Sequence, residues 1–312
     1  MFNWLKKSAG SSRVLGLNMY AEGCALAIVD QSDSDRPVVT GVHWCAFDGA
    51  ADRASVLKQA VRTLKARGLP VIATLPGSCY SLVQLEAPAL EQEELREAMR
   101  WRVKDLIDFP VEEAVIDVFE LPASRRPGAP ALVYAVVAKA AEVEKLSGLL
   151  LQAGLKIEAI DIAEMAIRNL ALHLDRPGRP RAYLQLNPGH VIIEIADGPH
   201  VYLSRRVPQE YDVDADIELL QAQMENLALE VQRSLDYFES QYALGPADQL
   251  SVIVCNDTLF DAFRQIARAY LTVQTERFSF SAMAAVDEVD LDVLGHGVTA
   301  VGAAMRRLPW AA

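Results

Sequence analysis

Apolar residues alternate with polar or small ones over residues 13–19 and 24–30, a period that predicts two strands joined by a tight turn. A third strand is expected at Val71-Ile72-Ala73-Thr74, and residues 54–67 carry the helical period before it stops at Gly68. From Leu75-Pro76-Gly77 onward the texture changes. The pattern predicts strand 79–86, helix 91–108, strand 115–121, strand 131–138, helix 140–152 and strand 156–160, an order expected to form a compact two-layer α+β unit. A helix over 162–174 then meets a Pro-, Gly- and Arg-rich break at 175–181. Beyond it, strand, turn, strand, turn, strand repeats the opening layout and predicts two related halves. A long helix at 215–243, strand 250–255, helix 258–270 and a terminal helix at 297–307, opened by Leu294-Gly295-His296-Gly297, complete the chain.

This pattern divides the chain into a first half at 1–74 and an inserted α+β unit at 75–158. A return to the first half at 159–180, a second half at 181–290 and a closing helical segment at 291–312 follow. With 312 residues, about half of them apolar, the chain is long enough for substantial cores. A formal charge of −12 argues against a nucleic-acid partner, which needs lysine and arginine to neutralise phosphates. Cys24, Cys45, Cys79 and Cys255 share no metal-ligand or redox spacing and read as buried, reduced thiols. The apolar run ALVYAVV is too short to span a bilayer, and MFNWLKKSAGSS lacks the apolar core of a signal peptide, so a cytoplasmic, non-transmembrane protein is expected. The opening Phe2, Trp4, Leu5, Lys6 and Lys7 offer only one short cationic turn to a membrane surface. No ligand spacing links the five histidines, and no nucleophile–base pair is visible.

Four stretches carry a family resemblance: Leu75-Pro76-Gly77, EELREAMRWRVKDLIDFPVEEAVIDVFEL from Glu93, LQAGLKIEAIDIAEMAIRNLAL from Leu151, and LEVQRSLDYFESQYALG from Leu229. With the two hairpin-led halves, they resemble the PilM family of type IV pilus assembly proteins, and residues 101–117 resemble its MSHA-pilus branch. The resemblance implies an α/β actin-like ATPase fold with a small α+β domain inserted in the first half. It also implies a cytoplasmic scaffold, peripheral to the inner membrane, that takes the N-terminal tail of a PilN-like membrane protein between the first subdomain and the insertion. Other pilus assembly components, and further copies of the chain, are the additional partners it implies.

Actin-like ATPases place an aspartate at the end of each hairpin's first strand, where it meets the metal, followed by small residues that let backbone N–H groups reach the phosphates. The matching positions here are Asn18 and Tyr20 in the first hairpin, and Gln185, Asn187, Pro188 and Gly189 in the second. Both carboxylates are gone, and Pro188 has no N–H to donate. No catalytic residue, metal ligand or firmly held cofactor is therefore expected, and Mg-ATP binding is expected to be weak at most: a pseudo-ATPase. Asp161 keeps an acid where the superfamily places one near the attacking water. Glu230, Arg233 and Ser234 share a helix stripe with Tyr237 and Gln241 that either faces adenosine or is simply solvated. Cys255-Asn256-Asp257 stands where a glycine pair would receive adenosine, and His296 where an acid is often found. The alternatives are a working ATP-binding switch of the same fold and a membrane-associated filament former.

On the helix after Pro88, Leu95, Met99, Val103 and Leu106 fall within one arc, whereas Trp101 lies with Glu94, Glu97, Lys104 and Asp105 on the opposite face. A tryptophan there packs on a neighbouring subdomain or anchors a partner. Arg102, Leu106, Ile107, Phe109 and Pro110 complete the candidate partner surface. The Leu308-Pro309-Trp310 segment is read as a frayed terminus, with self-docking as the alternative.

Overall fold

The computed structural model describes residues 12–33, 35–49, 52–88, 90, 92–174, 178–211, 216–280 and 291–306. The cationic turn at Phe2–Lys7 and the Leu308-Pro309-Trp310 segment lie outside the described residues.

In the first half, β1 (Arg13–Met19), β2 (Gly23–Asp30) and β3 (Val38–Ala46) form an antiparallel meander, followed by α1 (Arg53–Thr63) and β4 (Pro70–Thr74). Asp52 caps α1 by accepting the backbone N–H groups of Ala54 and Ser55. The chain then leaves for β5 (Tyr80–Glu86), α2 (Gln92–Val103), β6 (Ala114–Glu120) and β7 (Leu132–Lys139), and returns through α3 (Ala140–Gln152), β8 (Lys156–Asp161) and α4 (Ala163–Leu174). The second half runs β9 (Arg181–Asn187), β10 (His190–Asp197), β11 (His200–Pro208), α5 (Ile217–Tyr242), β12 (Leu250–Ile253), α6 (Asp257–Tyr270), β13 (Thr275–Arg277) and α7 (Leu291–Ala304).

The sheet orders are β3-β2-β1-β4-β8 and β11-β10-β9-β12-β13, so the two halves share one topology, and the repeat expected from the hairpins is real. The insertion is smaller than the 75–158 expected. Its sheet has three strands, β5-β7-β6, while β8 pairs in parallel with β4 in the first sheet. Leu146 and Leu150 of α3 belong to the same core as Leu57 of α1 and Leu26 of β2. Residues 140–161 thus belong to the first half, because an apolar helix face and strand found a larger sheet to cover.

Each half packs α-helices on the outer face of its sheet, α1 and α3 in the first and α5 and α6 in the second. Between the halves the helices are exchanged: α7 of the second half packs on β1, β2 and β3, while α4 of the first packs on β10 and β11. Their shared core joins Ala25, Ala27, Ala166, Ile167, Ile192 and Val301. Small residues allow the backbones to meet. A Cβ on Gly16 would stand 1.8 Å from the carbonyl oxygen of Ala300, and one on Gly302 would stand 2.2 Å from that of Ala166. Both obstacles are backbone, with no flexible tip to move aside. Gly16→Ala is therefore expected to cost at least the about 1–3 kcal/mol of ordinary overpacking, measurable as a fall in the denaturation midpoint, whereas Gly148→Ala inside α3, which meets nothing within 4 Å and gains a better helix former, is expected to raise the midpoint slightly.

Candidate functional site: the two hairpin ends and the insertion

Asn18, Thr74 and Asp161 stand side by side at the C-terminal ends of β1, β4 and β8, because the parallel register pairs Asn18 with Thr74 and Thr74 with Asp161. This is the edge at which an open α/β sheet presents its ligands. Here the row is internally satisfied. Thr74 Oγ1 donates to Asn18 Oδ1 at 2.5 Å, and both residues are buried. Asp161 accepts the Ile162 N–H at 2.9 Å on one carboxylate oxygen and pairs with the Arg306 guanidinium at 2.7 Å on the other. Asp161 thus ties β8 to the end of α7.

Tyr20, at the first hairpin turn, is folded over rather than held clear of an anion. Its hydroxyl donates to the carbonyl of His296 at 3.0 Å. Its ring meets Trp44 edge-on at 5.3 Å, and Trp44 stacks on His296 at 4.2 Å. Burial pushes the Tyr20 phenol well above its ordinary value, with the nearby Cys255 adding to the rise. Two glycines seat the α7 turn in this place. A Cβ on Gly295 would be 2.8 Å from Cys255 Cα, and one on Gly297 would be 2.4 Å from Val42 Cγ1. The glycines expected to open the terminal helix at 297 instead lie inside a helix that begins at Leu291, where they permit close packing.

The second hairpin also ends in an amide. Along β9, Ala182, Leu184 and Leu186 face the α5 core, so Gln185 and Asn187 face the opposite side. Gln185 Nε2 donates to Thr299 Oγ1 of α7 at 2.8 Å, while its Oε1 finds no hydrogen-bond partner among the described residues. The Asn187 carbonyl accepts from the Tyr211 hydroxyl at 2.5 Å. Gly189, with φ of 78°, follows Pro188 as the second central residue of the turn, a position that favours glycine. Neither hairpin end offers a carboxylate, and among the described residues no three His, Cys, Asp or Glu side chains gather as metal ligands. These residues do not fit a magnesium triphosphate held through aspartates.

Of the helix stripe proposed for adenosine, Arg233 and its neighbour Tyr237 line one groove with Gly189 of the second hairpin turn. Glu230 binds the Arg205 guanidinium of β11 at 3.0 Å and that of Arg233 at 2.5 Å, and Arg205 also donates to Ser234 Oγ at 3.1 Å. Ser234 is fully buried. The stripe fastens α5 to an edge strand on the sheet face opposite Gln185. Asn256 is likewise spent on structure, capping α6 through the Leu259 N–H at 3.0 Å.

Glu164, which the sequence reading passed over, is the hub of a second cluster. It is 1% exposed, takes the Tyr80 hydroxyl on one oxygen, and pairs with Arg206 at 2.7 Å on the other. Arg206 also donates to the Gly77 carbonyl, and its guanidinium lies over the Tyr80 ring at 4.3 Å. Its sequence signal was one of two acids, with Asp161, in the otherwise apolar run IDIAEMAI. Beside it, a groove of about 850 Å³ opens between β5 and β7 of the insertion and β11 and α5 of the second half, lined in part by Tyr80, Tyr134, Arg206, Arg233 and Tyr237.

Of the partner candidates, Trp101 is 67% exposed and Leu106 55% exposed. Leu95, Met99 and Val103 are buried as expected, but Leu106 leaves their stripe because the chain tightens to a 3₁₀ turn at Lys104–Leu106. Ile107 and Phe109 are half-buried against the core of the small sheet, with the Lys139 ammonium 4.9 Å from the Phe109 ring centroid. Arg102 donates to the Glu86 carbonyl at 2.7 Å, and Pro110 is exposed. These six residues surround one end of α2, and none lines the 850 Å³ groove. This groove lies between the insertion and the second half, a different place from the tail channel that the resemblance implied between the first subdomain and the insertion.

No family model and no curated protein sequence matches the chain. Solved structures do. The chain is similar to a PilM–PilN type IV pilus biogenesis complex, with a TM-score of 0.75 at 19% identity, covering 93% of this chain and 97% of that one. It is similar to the cytoplasmic domain of EpsL, an inner-membrane component of the type II secretion system of Vibrio cholerae, with a TM-score of 0.53 at 11% identity over 95% and 96% of the two chains. A Bacteroides thetaiotaomicron protein of unknown function with an actin-like ATPase fold aligns with a TM-score of 0.50 at 9% identity over 93% and 97%. Among the described residues no helix is long and apolar enough to cross a membrane. The chain has the actin-like ATPase fold: two halves of one topology, with a three-stranded domain inserted in the first.

Proposed function

We propose that this chain is a PilM-like scaffold of type IV pilus assembly, cytoplasmic and peripheral to the inner membrane. It docks the N-terminal tail of a PilN-like membrane protein and does not hydrolyse ATP. The observation that carries this reading is likeness over nearly the full length of both chains to a PilM–PilN complex. The resemblance of the stretch between Trp101 and Asp117 to the MSHA-pilus branch supports reading it as an MshI-like protein of MSHA-type pili. The pseudo-ATPase part rests on the hairpin ends. Asn18 and Gln185 stand where two metal-holding aspartates would be, each bonded to a neighbouring threonine, and Asp161 is engaged by Arg306. Losing both carboxylates removes the charge that holds a metal against a triphosphate.

Two calorimetric titrations test the two parts separately. A peptide of the PilN-like tail is expected to bind the purified protein saturably, and no detectable binding sinks the scaffold reading. Mg-ATP is expected to show no sub-micromolar affinity and no turnover. Turnover that disappears in Asp161→Asn overturns the pseudo-ATPase reading and favours an ATP-dependent switch.

A further inference from the structure

The four cysteines were expected to be isolated, but the meander sets two of them face to face. Cys24 of β2 and Cys45 of β3 are directly opposite in the antiparallel register, and their Sγ atoms are 2.7 Å apart. Opposed residues in antiparallel strands have Cα atoms roughly 4.5 or 5.5 Å apart. A disulfide accepts roughly 4.4–6.8 Å. The backbone is thus already spaced for a bond. The sheet is also tight here, since a Cβ on the preceding Gly23 would stand 2.5 Å from the Cys45 carbonyl oxygen.

The two thiols differ in reach. Cys24 is fully buried in the first-half core, whereas Cys45 is half-buried on β3, an edge strand of its sheet. Cys79 is set apart, with its Sγ 3.5 Å from the Glu142 carboxylate.

We propose that Cys24 and Cys45 form a covalent modification site, a vicinal dithiol that exchanges with small-molecule disulfides and closes into a cross-strand disulfide. Cys45 thiolate attacks one sulfur of a disulfide such as oxidised glutathione. A bond forms between Cys45 and that half as the other half leaves as a thiolate. Cys24 then passes its proton to the glutathione thiolate released beside it and attacks Cys45 Sγ. The protein disulfide forms and the second glutathione thiolate departs, so two protein thiols are oxidised and one small disulfide is reduced to two thiols. The order of attack follows from exposure. It is reinforced by the hydrogen bond from Cys24, which lowers the Cys45 thiol below its ordinary value, while Cys24 itself is raised.

The bond would staple the strand that carries Trp44 to the strand that follows the Tyr20 turn, and so fix the closed first hairpin. The test is native incubation of the full chain with oxidised glutathione, followed by alkylation under denaturing conditions and peptide mass mapping. Wild type is expected to lose two hydrogen masses without retaining glutathione, with the Cys24 peptide linked to the Cys45 peptide. Cys24→Ser is expected to retain one glutathione on Cys45, because no thiol resolves it. Wild type in which Cys24 and Cys45 remain fully alkylated, or in which glutathione accumulates on Cys79 and Cys255 and no cross-link forms, overturns the proposal. The wild-type map decides the matter even if the serine variant folds poorly.

Discussion

Arg206→Ala is expected to lower the unfolding free energy by about 3–5 kcal/mol, the usual cost of removing one member of a buried ion pair. Glu164 is 1% exposed and lies between two partners that come from different parts of the fold, Tyr80 at the root of the insertion and Arg206 on β11. Without the guanidinium, a carboxylate stays in the interior with only a phenol for company. The Gly77 and Tyr80 carbonyls lose their donor in the same step. Replacing both partners with apolar residues, Arg206→Met with Glu164→Leu, should cost clearly less than Arg206→Ala alone, since no charge is stranded. Urea denaturation of the three proteins checks this. An Arg206→Ala chain as stable as wild type would mean that the cluster does not hold the insertion against the second half. Limited proteolysis adds a local readout: cleavage near Gly77–Cys79 should rise in Arg206→Ala and stay low in the apolar pair.

What the sequence revealed depended on whether the governing contact was local. The paired strands of both hairpins followed from alternation, and α3 was found at its observed limits, because burial on one face writes a period into the residues themselves. The third strand of the first meander, Val38–Ala46, was not foreseen. It is an edge strand whose residues are mostly half-buried, so its period is blurred. Assigning β8 to the insertion was a comparable error. An apolar strand does not say which sheet it will join, and pairing with β4 decided it.

The site divides along the same line. That Asn18 and Gln185 are amides rather than carboxylates was plain from residue type, but their hydrogen-bond partners were not. Gln185 finds Thr299 at a separation of 114 residues and Asp161 finds Arg306 at 145. Glu230, Arg233 and Ser234 show the limit most clearly. Their shared helix face follows from spacing, but Arg205, the partner of Glu230 and Ser234, comes from another element.

Trp101→Ala is expected to weaken binding of the PilN-like tail by 10-fold or more, about 1.4 kcal/mol, without changing stability. Its indole is 67% exposed on α2 and takes no part in the small-sheet core formed by Leu95, Met99 and Val103. An exposed aromatic that stabilises nothing in its own chain is the kind of side chain that carries interface energy. Leu106, 55% exposed at the same end of the helix, should behave likewise. Phe109 is a different case. It is half-buried against the insertion core and carries the Lys139 cation over its ring, so Phe109→Ala should lower both tail affinity and the stability of the insertion. Stability separates these roles: Trp101→Ala and Leu106→Ala should melt within about 0.5 kcal/mol of wild type, as exposed substitutions do, and Phe109→Ala should not. If Trp101→Ala and Leu106→Ala both bind the tail as wild type does, the end of α2 is not the docking surface. The groove between the insertion and the second half would then be the next place to look, and Tyr237→Ala, which removes a 38%-exposed ring from its wall, becomes the variant expected to lose the peptide.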